Sequence, residues 1–184
     1  MHTLIFDGSP HKNGDTAALI GALREKLQGE STVIRAYGSA ISPCIDCRAC
    51  WKKEGCALPD GMQEIYALIE KSDAIVIASP VYYSELTGPL LSMLSRLQMY
   101  YCNARFLGVR KNTKKKRGGI LLAGGGNGGP EKALETARLL LSCMNAREIS
   151  LLVSSLQTDT LPACRDEAAL AAARKLGEEM ERPL

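Results

Sequence analysis

The stretch TLIFDGSPHKNGDT, residues 3–16, decides the fold, because it joins a short apolar run to a sharp polar loop and then to a helix. Residues 3–6 predict a buried strand, and residues 7–10 predict a tight turn. Beyond Thr16, one helical face carries Leu19, Ile20, Leu23 and Leu27. A strand, a loop and a helix in this order predict the first unit of an α/β domain.

The rest of the chain repeats this alternation. Further strands are predicted over residues 32–36, 74–78, 120–123 and 149–153. The third strand is continuously apolar, which is typical of a strand covered on both faces. Helices are predicted after a capping box formed by Asp60 and Gln63, along the leucines of residues 90–97, after Pro130, and from about Ala163. Together these elements predict a three-layer α/β/α sandwich with a five-stranded parallel sheet, in one domain over residues 1–184.

Composition excludes several classes of protein. With 46% hydrophobic and 23% charged residues, the 184-residue chain is neither disordered nor fibrous. A net charge of only +3 argues against a nucleic acid or an anionic membrane as partner. No apolar run approaches the roughly 20 residues of a membrane span. The first residues lack the pattern of a signal peptide, so we expect a cytoplasmic protein without a membrane partner.

Three loops, residues 8–16, 79–87 and 124–129, follow the predicted strands, at the edge where parallel sheets bind ligands. In the first loop, backbone N–H groups at a helix N-terminus predict an anion site, although such composition is also common in any βα turn. Ser9, Asn13 and Thr16 add neutral donors. The Gly8 to Gly14 spacing is one residue too long for a triphosphate-binding loop, and Asp15 stands where that loop needs lysine, which argues against ATP or GTP.

Four of the seven cysteines fall within thirteen residues of a loop at residues 43–60, at Cys44, Cys47, Cys50 and Cys56. Four closely spaced thiolates can hold an iron–sulfur cluster. Zinc is less well matched, because four-cysteine zinc sites favour two pairs with a longer spacer. Free thiols on a loop remain the third interpretation. Core packing is expected for Cys102, Cys143 and Cys164.

Two loops resemble those of the flavodoxin-like NAD(P)H-dependent FMN reductases. Residues 9–16 (SPHKNGDT) are similar to that family's Ser-Pro-x-x-x-Gly-Asn-Thr phosphate loop, and residues 79–83 (SPVYY), with TGPL at 87–90 and Arg96, resemble its isoalloxazine loop and the following helix. The resemblance implies an FMN phosphate held by Ser9, Asn13, Gly14 and Thr16, with His11 nearby. Asp15 departs from the family asparagine, and we expect only its backbone N–H to contribute. The flavin ring is expected beside Ser79, Pro80, Val81, Tyr82, Tyr83 and the backbone of Gly124, Gly125 and Gly126.

The cysteine spacing matches the compact motif of the iron–sulfur flavoproteins, a branch of the same group that binds one [4Fe–4S] cluster per subunit. It also resembles FMN reductases for which no cluster need be assumed. The resemblance implies a flavodoxin-like fold with strand order 2-1-3-4-5. The expected activity is an FMN-dependent oxidoreductase that takes hydride from NAD(P)H and passes electrons to a quinone, flavin or similar small-molecule acceptor. The alternative is an electron-transfer protein that uses FMN and a [4Fe–4S] cluster with a ferredoxin-like partner. A homodimer or homotetramer is expected.

Two further patterns have ordinary explanations. Gly124-x-Gly126-x-x-Gly129 matches a dinucleotide fingerprint, but it follows the fourth strand, where a wall for a flavin ring explains it better. Lys111, Lys114, Lys115, Lys116 and Arg117 predict a solvated loop, with a patch for NADPH phosphate or an acidic redox partner as the alternative.

Overall fold

Five strands form one parallel sheet in the computed structural model, which describes residues 1–126 and 128–184, the side chains of residues 148–151 excepted. They are β1 (His2–Asp7), β2 (Glu30–Arg35), β3 (Ala74–Pro80), β4 (Arg117–Ala123) and β5 (Glu148–Ser155). The strand order is β2-β1-β3-β4-β5, which confirms the predicted order. All four neighbouring pairs are parallel.

Helices cover both faces of this sheet. They are α1 (Asp15–Arg24), α2 (Met62–Lys71), α3 (Gly88–Leu94), α4 (Gln98–Cys102), α5 (Glu131–Cys143) and α6 (Glu167–Met180). Successive strand residues point to opposite faces. Accordingly Ile5 packs in the core with leucines of α1 and α6, whereas Leu4 and Phe6 pack in the core with α2, α3 and α5. The three-layer arrangement is therefore as predicted.

The helical regions differ from the sequence expectation in two places. The leucine-rich helix is broken, because a 3-10 turn (Ser95–Leu97) separates α3 from α4 and a π-helical turn (Asn103–Leu107) follows. The alanine-rich helix begins at Glu167 rather than Ala163, since the Asp166 carboxylate caps it by accepting the Ala169 N–H. None of the described helices is both long enough and apolar enough to span a membrane.

The predicted capping box before α2 is wrong in its reciprocal half. The Asp60 carboxylate accepts the Met62 N–H at 3.1 Å. The Gln63 side chain does not return to the Asp60 backbone; it donates to the carbonyls of Cys56 and Leu58 at 2.9 and 2.8 Å. Gln63 therefore secures the cysteine loop (residues 43–60).

Two predictions about exposure are also wrong. Cys102 is buried as expected, but Cys143 and Cys164 are exposed, because the apolar faces of their helical segments point elsewhere. In the basic cluster, Lys116 is not solvated: only 1% of it is exposed, and its Nζ donates to Asn112 Oδ1 and the Lys114 carbonyl. Burial lowers the pKa of Lys116 to about 8.

Arg117 is also buried. It begins β4, and its guanidinium donates to the carbonyls of Arg182 and Pro183. The basic cluster is therefore partly buried at the start of β4, and only part of it is solvated.

Candidate functional site

A cleft of about 150 Å³ lies at the carboxyl ends of β1, β3 and β4, and we call it the flavin cleft after the ligand that the sequence predicts for it. Most of the predicted cofactor residues line it: Ser9, His11, Gly14, Asp15, Thr16, Pro80, Val81, Tyr82, Gly124 and Gly125. Ala123 and Thr158 complete the lining. Of the other predicted residues, Asn13 lines a neighbouring cleft, and Ser79, Tyr83 and Gly126 are not in the lining.

A buried carboxylate, that of Asp7, stabilises the turn after β1. Asp7 is 2% exposed and accepts the Ser9 N–H at 2.8 Å, with Arg35 3.2 Å away. Burial raises the pKa of Asp7, although the Ser9 N–H and Arg35 oppose this shift. The Ser9 hydroxyl in turn accepts the His11 N–H at 3.1 Å. Ser9 and Asp7 thus fix the shape of the turn.

The start of α1 has the features of an anion site. Gly14 is its N-cap and has no side chain to cap the helix, and no side chain of the described residues accepts a hydrogen bond from the first turn. The early N–H groups of a helix have no partner within the helix, and they carry the positive end of its dipole. Thr16 places a buried hydroxyl in the same cleft. An anionic group of a ligand would find neutral donors there.

Asp15 directs its carboxylate to another part of the chain. Its Oδ1 accepts the backbone N–H of Ala163 at 2.8 Å. The side chain therefore ties the start of α1 to the 3-10 turn (Ala163–Arg165) that precedes α6. This contact is compatible with the expectation that only the Asp15 backbone serves a phosphate.

The loop after β3 contains a strained turn. Tyr82 and Glu85 exchange two backbone hydrogen bonds, of 2.9 and 3.0 Å. The residues between them, Tyr83 and Ser84, have φ angles of 53° and 62°. Two consecutive positive φ angles are typical of a type I′ turn, which usually contains Asn or Gly. Tyr83 is fully exposed, so this strain is not compensated by packing of its ring.

The remaining wall of the cleft is formed by the turn after β4. The Thr158 N–H donates to the Gly124 carbonyl at 3.0 Å, and the Gly126 N–H donates to the Asp159 carboxylate at 3.0 Å. Thr158 lines the cleft, and Asp159 supports the glycine turn beside it. Sequence reasoning missed both because they belong to no motif and come near this turn only through the fold. The glycine fingerprint at residues 124–129 includes Asn127, which lies outside the described residues.

The four cysteines of the cysteine loop line a second cavity of about 30 Å³. Arg96 and Cys102 lie in the same wall. Within the described part of the chain, no three Cys, His, Asp or Glu side chains are arranged as a metal-ion site. The fold thus brings Cys44, Cys47, Cys50 and Cys56 to one cavity, although the described side chains form no site for a single metal ion there.

Side chains from the helical segment after β3 hold the cysteine loop in place. The Ser95 hydroxyl accepts the Cys44 N–H at 3.0 Å. The Asn103 side chain donates to the Cys50 carbonyl at 2.8 Å and accepts the Gly55 N–H at 2.9 Å. Burial, with the neighbouring Cys102 thiol, raises the pKa of Cys50 to about 11. The Cys50 sulfur therefore favours the protonated form when no cation is bound to it.

A parallel sheet in this order, with a cleft formed by the turn after β1 and a second loop at the same edge after β3, defines the flavodoxin-like class of α/β proteins. Comparison with known sequences identifies the family. The chain belongs to the NADPH-dependent FMN reductase family, which it matches over residues 1–160.

Curated relatives carry the name iron–sulfur flavoprotein. One from Archaeoglobus fulgidus is 32% identical over 96 residues, which are 50% of this chain and 44% of the relative. Another, from Methanosarcina thermophila, is 33% identical over 94 residues, which are 50% and 49% of the two chains. The matches thus span about half the length of these relatives.

Solved structures support the fold. The NAD(P)H:quinone oxidoreductase from Methanothermobacter marburgensis superposes with a TM-score of 0.68 at 20% identity. The superposition covers 100% of this chain and 98% of that one. At this level of identity the likeness shows a shared flavodoxin-like fold.

Proposed function

We propose that the protein is an FMN-dependent oxidoreductase that accepts hydride from NAD(P)H and passes electrons to a quinone, a flavin or a similar small-molecule acceptor. The observation that carries this proposal is the flavin cleft, in which an uncapped helix N-terminus, the loop after β3 and a glycine turn meet. Membership of the NADPH-dependent FMN reductase family supports the same chemistry.

The residues of the cleft fit FMN. The N–H groups at the start of α1 and the Thr16 hydroxyl would hold the phosphate. Pro80, Val81 and the glycine backbone at residues 124–125 present an apolar wall without large side chains, which suits a planar ring. Bound FMN would supply hydride and electron chemistry, while the protein supplies position and electrostatics.

Flavin content and flavin reduction test this proposal. The full chain is purified without oxygen, FMN per subunit is measured, and bleaching of the flavin by NADPH or NADH is followed in the visible spectrum. Thr16→Val keeps the side-chain shape but removes a hydroxyl expected at a charged group, so FMN should bind about tenfold more weakly. Thr113→Val, at an exposed position away from the cleft, is the matched control. Protein that cannot take up FMN would disprove the proposal.

A second function is favoured by the cysteine loop. Four cysteines share one cavity, and the buried guanidinium of Arg96 lies against one of them. Four thiolates and a buried cation fit a [4Fe–4S] cluster, which would supply one-electron chemistry when bound. We propose for this case an electron-transfer protein in which FMN and the cluster exchange electrons with a ferredoxin-like partner. The shared name of the curated relatives supports it.

Iron and acid-labile sulfide separate the two functions. Four iron and four sulfide per subunit in the anaerobic protein would favour electron transfer, and the same sample should then be reduced faster by a reduced ferredoxin than by NADPH. FMN without iron, with fast reduction by NADPH, would leave the reductase with free thiols. The predicted homodimer or homotetramer is checked on the same preparation by light scattering, and the predicted cytoplasmic location by cell fractionation.

A further inference from the structure

The cysteine loop contacts a buried cation, the guanidinium of Arg96. The Arg96 side chain is 0% exposed and lies in the 3-10 turn between α3 and α4. One guanidinium nitrogen, Nη1, donates to the Asp60 carboxylate at 2.7 Å and to the Ser42 carbonyl at 3.0 Å. The other, Nη2, donates to Cys56 Sγ at 3.2 Å. Arg96 thus links both ends of the loop to the helical segment.

The partners of Arg96 leave part of its hydrogen-bonding capacity unused. Its Nε is buried and has no hydrogen-bond partner among the described residues. Buried donors are nearly always satisfied, and a buried ion pair is often no more stable than an apolar replacement of the same size. The contacts with the loop therefore leave one buried donor of the guanidinium unused. A neutral thiol is a weak hydrogen-bond acceptor, whereas a thiolate would accept a stronger, charge-assisted hydrogen bond from the guanidinium.

We propose that Arg96 is a positioning residue for the iron–sulfur site: it fixes the Cys56 thiolate and raises the reduction potential of a cluster held by Cys44, Cys47, Cys50 and Cys56. This inference rests on the second function proposed above. One-electron reduction adds one negative charge at the cysteine cavity. A buried cation in the cavity wall stabilises the reduced state more than the oxidised state, and hydrogen bonds to cysteine sulfur act in the same direction.

A substitution of Asp60 should shift the reduction potential in the direction opposite to a substitution of Arg96. The Asp60 carboxylate pairs with Arg96 and therefore offsets part of the positive charge. Replacing Asp60 by Asn removes a negative charge near the same cavity and leaves one oxygen that can accept from Met62. The second Asp60 oxygen, which accepts from Ser42 N–H and Arg96, becomes an amide nitrogen, so the double variant that also removes Arg96 is needed beside it. The potential should rise in Asp60→Asn and fall in Arg96→Met. A general loosening of the loop would instead move both variants in one direction.

The experiment is a redox titration of the anaerobically purified full chain with dithionite, followed by electron paramagnetic resonance. In Arg96→Met the equilibrium constant for one-electron reduction should fall about tenfold, which is about 59 mV. Asp60→Asn should shift it upward, and Asp60→Asn/Arg96→Met should lie close to wild type. Arg174→Met is the control, because Arg174 pairs with Glu25 across α6 and α1 on the opposite face of the sheet, and it should not shift.

Each outcome decides one of the two proposals. Wild-type protein without iron and sulfide would refute the iron–sulfur function and this inference with it. The inference alone would be refuted if the wild-type protein holds a cluster but its reduction potential is unchanged in the two variants. The same holds if the potential shifts in the same direction in Arg96→Met and Asp60→Asn. If Arg96→Met fails to fold or to load iron, the upward shift in Asp60→Asn and its cancellation in the charge-balanced double variant carry the test, and a missing upward shift overturns the inference.

Discussion

Replacing Gly8 by Ala should destabilise the protein, because Gly8 lies where the end of β1 meets the loop after β3. A Cβ at this position would lie 2.8 Å from Leu90 Cδ2 and 3.0 Å from the hydroxyls of both Ser79 and Thr87. These three neighbours are 0% exposed. The Thr87 hydroxyl also donates to the Gly8 carbonyl at 2.7 Å, so the backbone cannot move away without losing that bond.

The magnitude follows from two opposing effects. Inserting a methyl group into a packed region costs about 1–3 kcal/mol. The lower conformational entropy of Ala in the unfolded chain returns about 0.4–1 kcal/mol. The net loss in the free energy of unfolding should be about 1–2 kcal/mol, which for a domain of this size lowers Tm by about 2–4 °C per kcal/mol.

Urea unfolding followed by far-ultraviolet circular dichroism measures this change, and Gly21→Ala is the matched control. Gly21 is exposed in the middle of α1, and a Cβ there would meet nothing within 4 Å. Ala is the better helix former, so this variant should gain about 0.5–1 kcal/mol. A Gly8→Ala variant as stable as Gly21→Ala would show that the close approach of β1 to Leu90, Ser79 and Thr87 does not exist.

Three more predictions concern the cleft and the buried lysine. Asp15→Asn should bind FMN about two- to fivefold more tightly in a fluorescence titration at low salt, because it removes a negative charge near the phosphate. The side-chain oxygen that remains after this substitution can still accept the Ala163 N–H. An equal gain in affinity at high salt would contradict this prediction. Tyr83→Gly should gain about 0.5–1 kcal/mol in urea unfolding, since it relieves a positive φ angle without losing packing, and a loss would show that the turn is unstrained. Burial lowers the pKa of Lys116 to about 8, so unfolding takes up a proton between about pH 8 and 10.5. Over this range the unfolding free energy of the native protein should rise with pH by up to about 3 kcal/mol relative to Lys116→Met. Parallel pH profiles of the two proteins would refute this prediction.

The sheet was predictable because its strands are continuous apolar runs separated by turn residues. Residues 74–78 were expected as a strand, and β3 spans Ala74–Pro80. The start of β4 was missed by three residues, because Arg117, Gly118 and Gly119 have no strand propensity and extend the strand through pairing with β3. The break between α3 and α4 has no signal in the leucine spacing.

Predicting the candidate site depended on whether its residues form local motifs. The residues of the phosphate turn and the loop after β3 are contiguous, and both segments reach one cleft. Thr158 and Asp159 come from a turn that only the fold brings near Gly124 and Gly126. Arg96 was noted only as part of a resemblance, since its contact with Cys56 joins residues forty positions apart. Long-range polar contacts of this kind leave no periodicity in a sequence.

The helical segment from Thr87 to Asn103 connects the two candidate sites physically. At its start, the Thr87 hydroxyl donates to the Gly8 carbonyl at the edge of the flavin cleft. Further along, Arg96 contacts Cys56, and Asn103 holds the Cys50 carbonyl. The apolar side of α3 is buried against the sheet, so this segment cannot shift at one end without disturbing its core contacts. The flavin cleft and the cysteine loop are therefore joined by one continuous segment that is packed into the core of the domain.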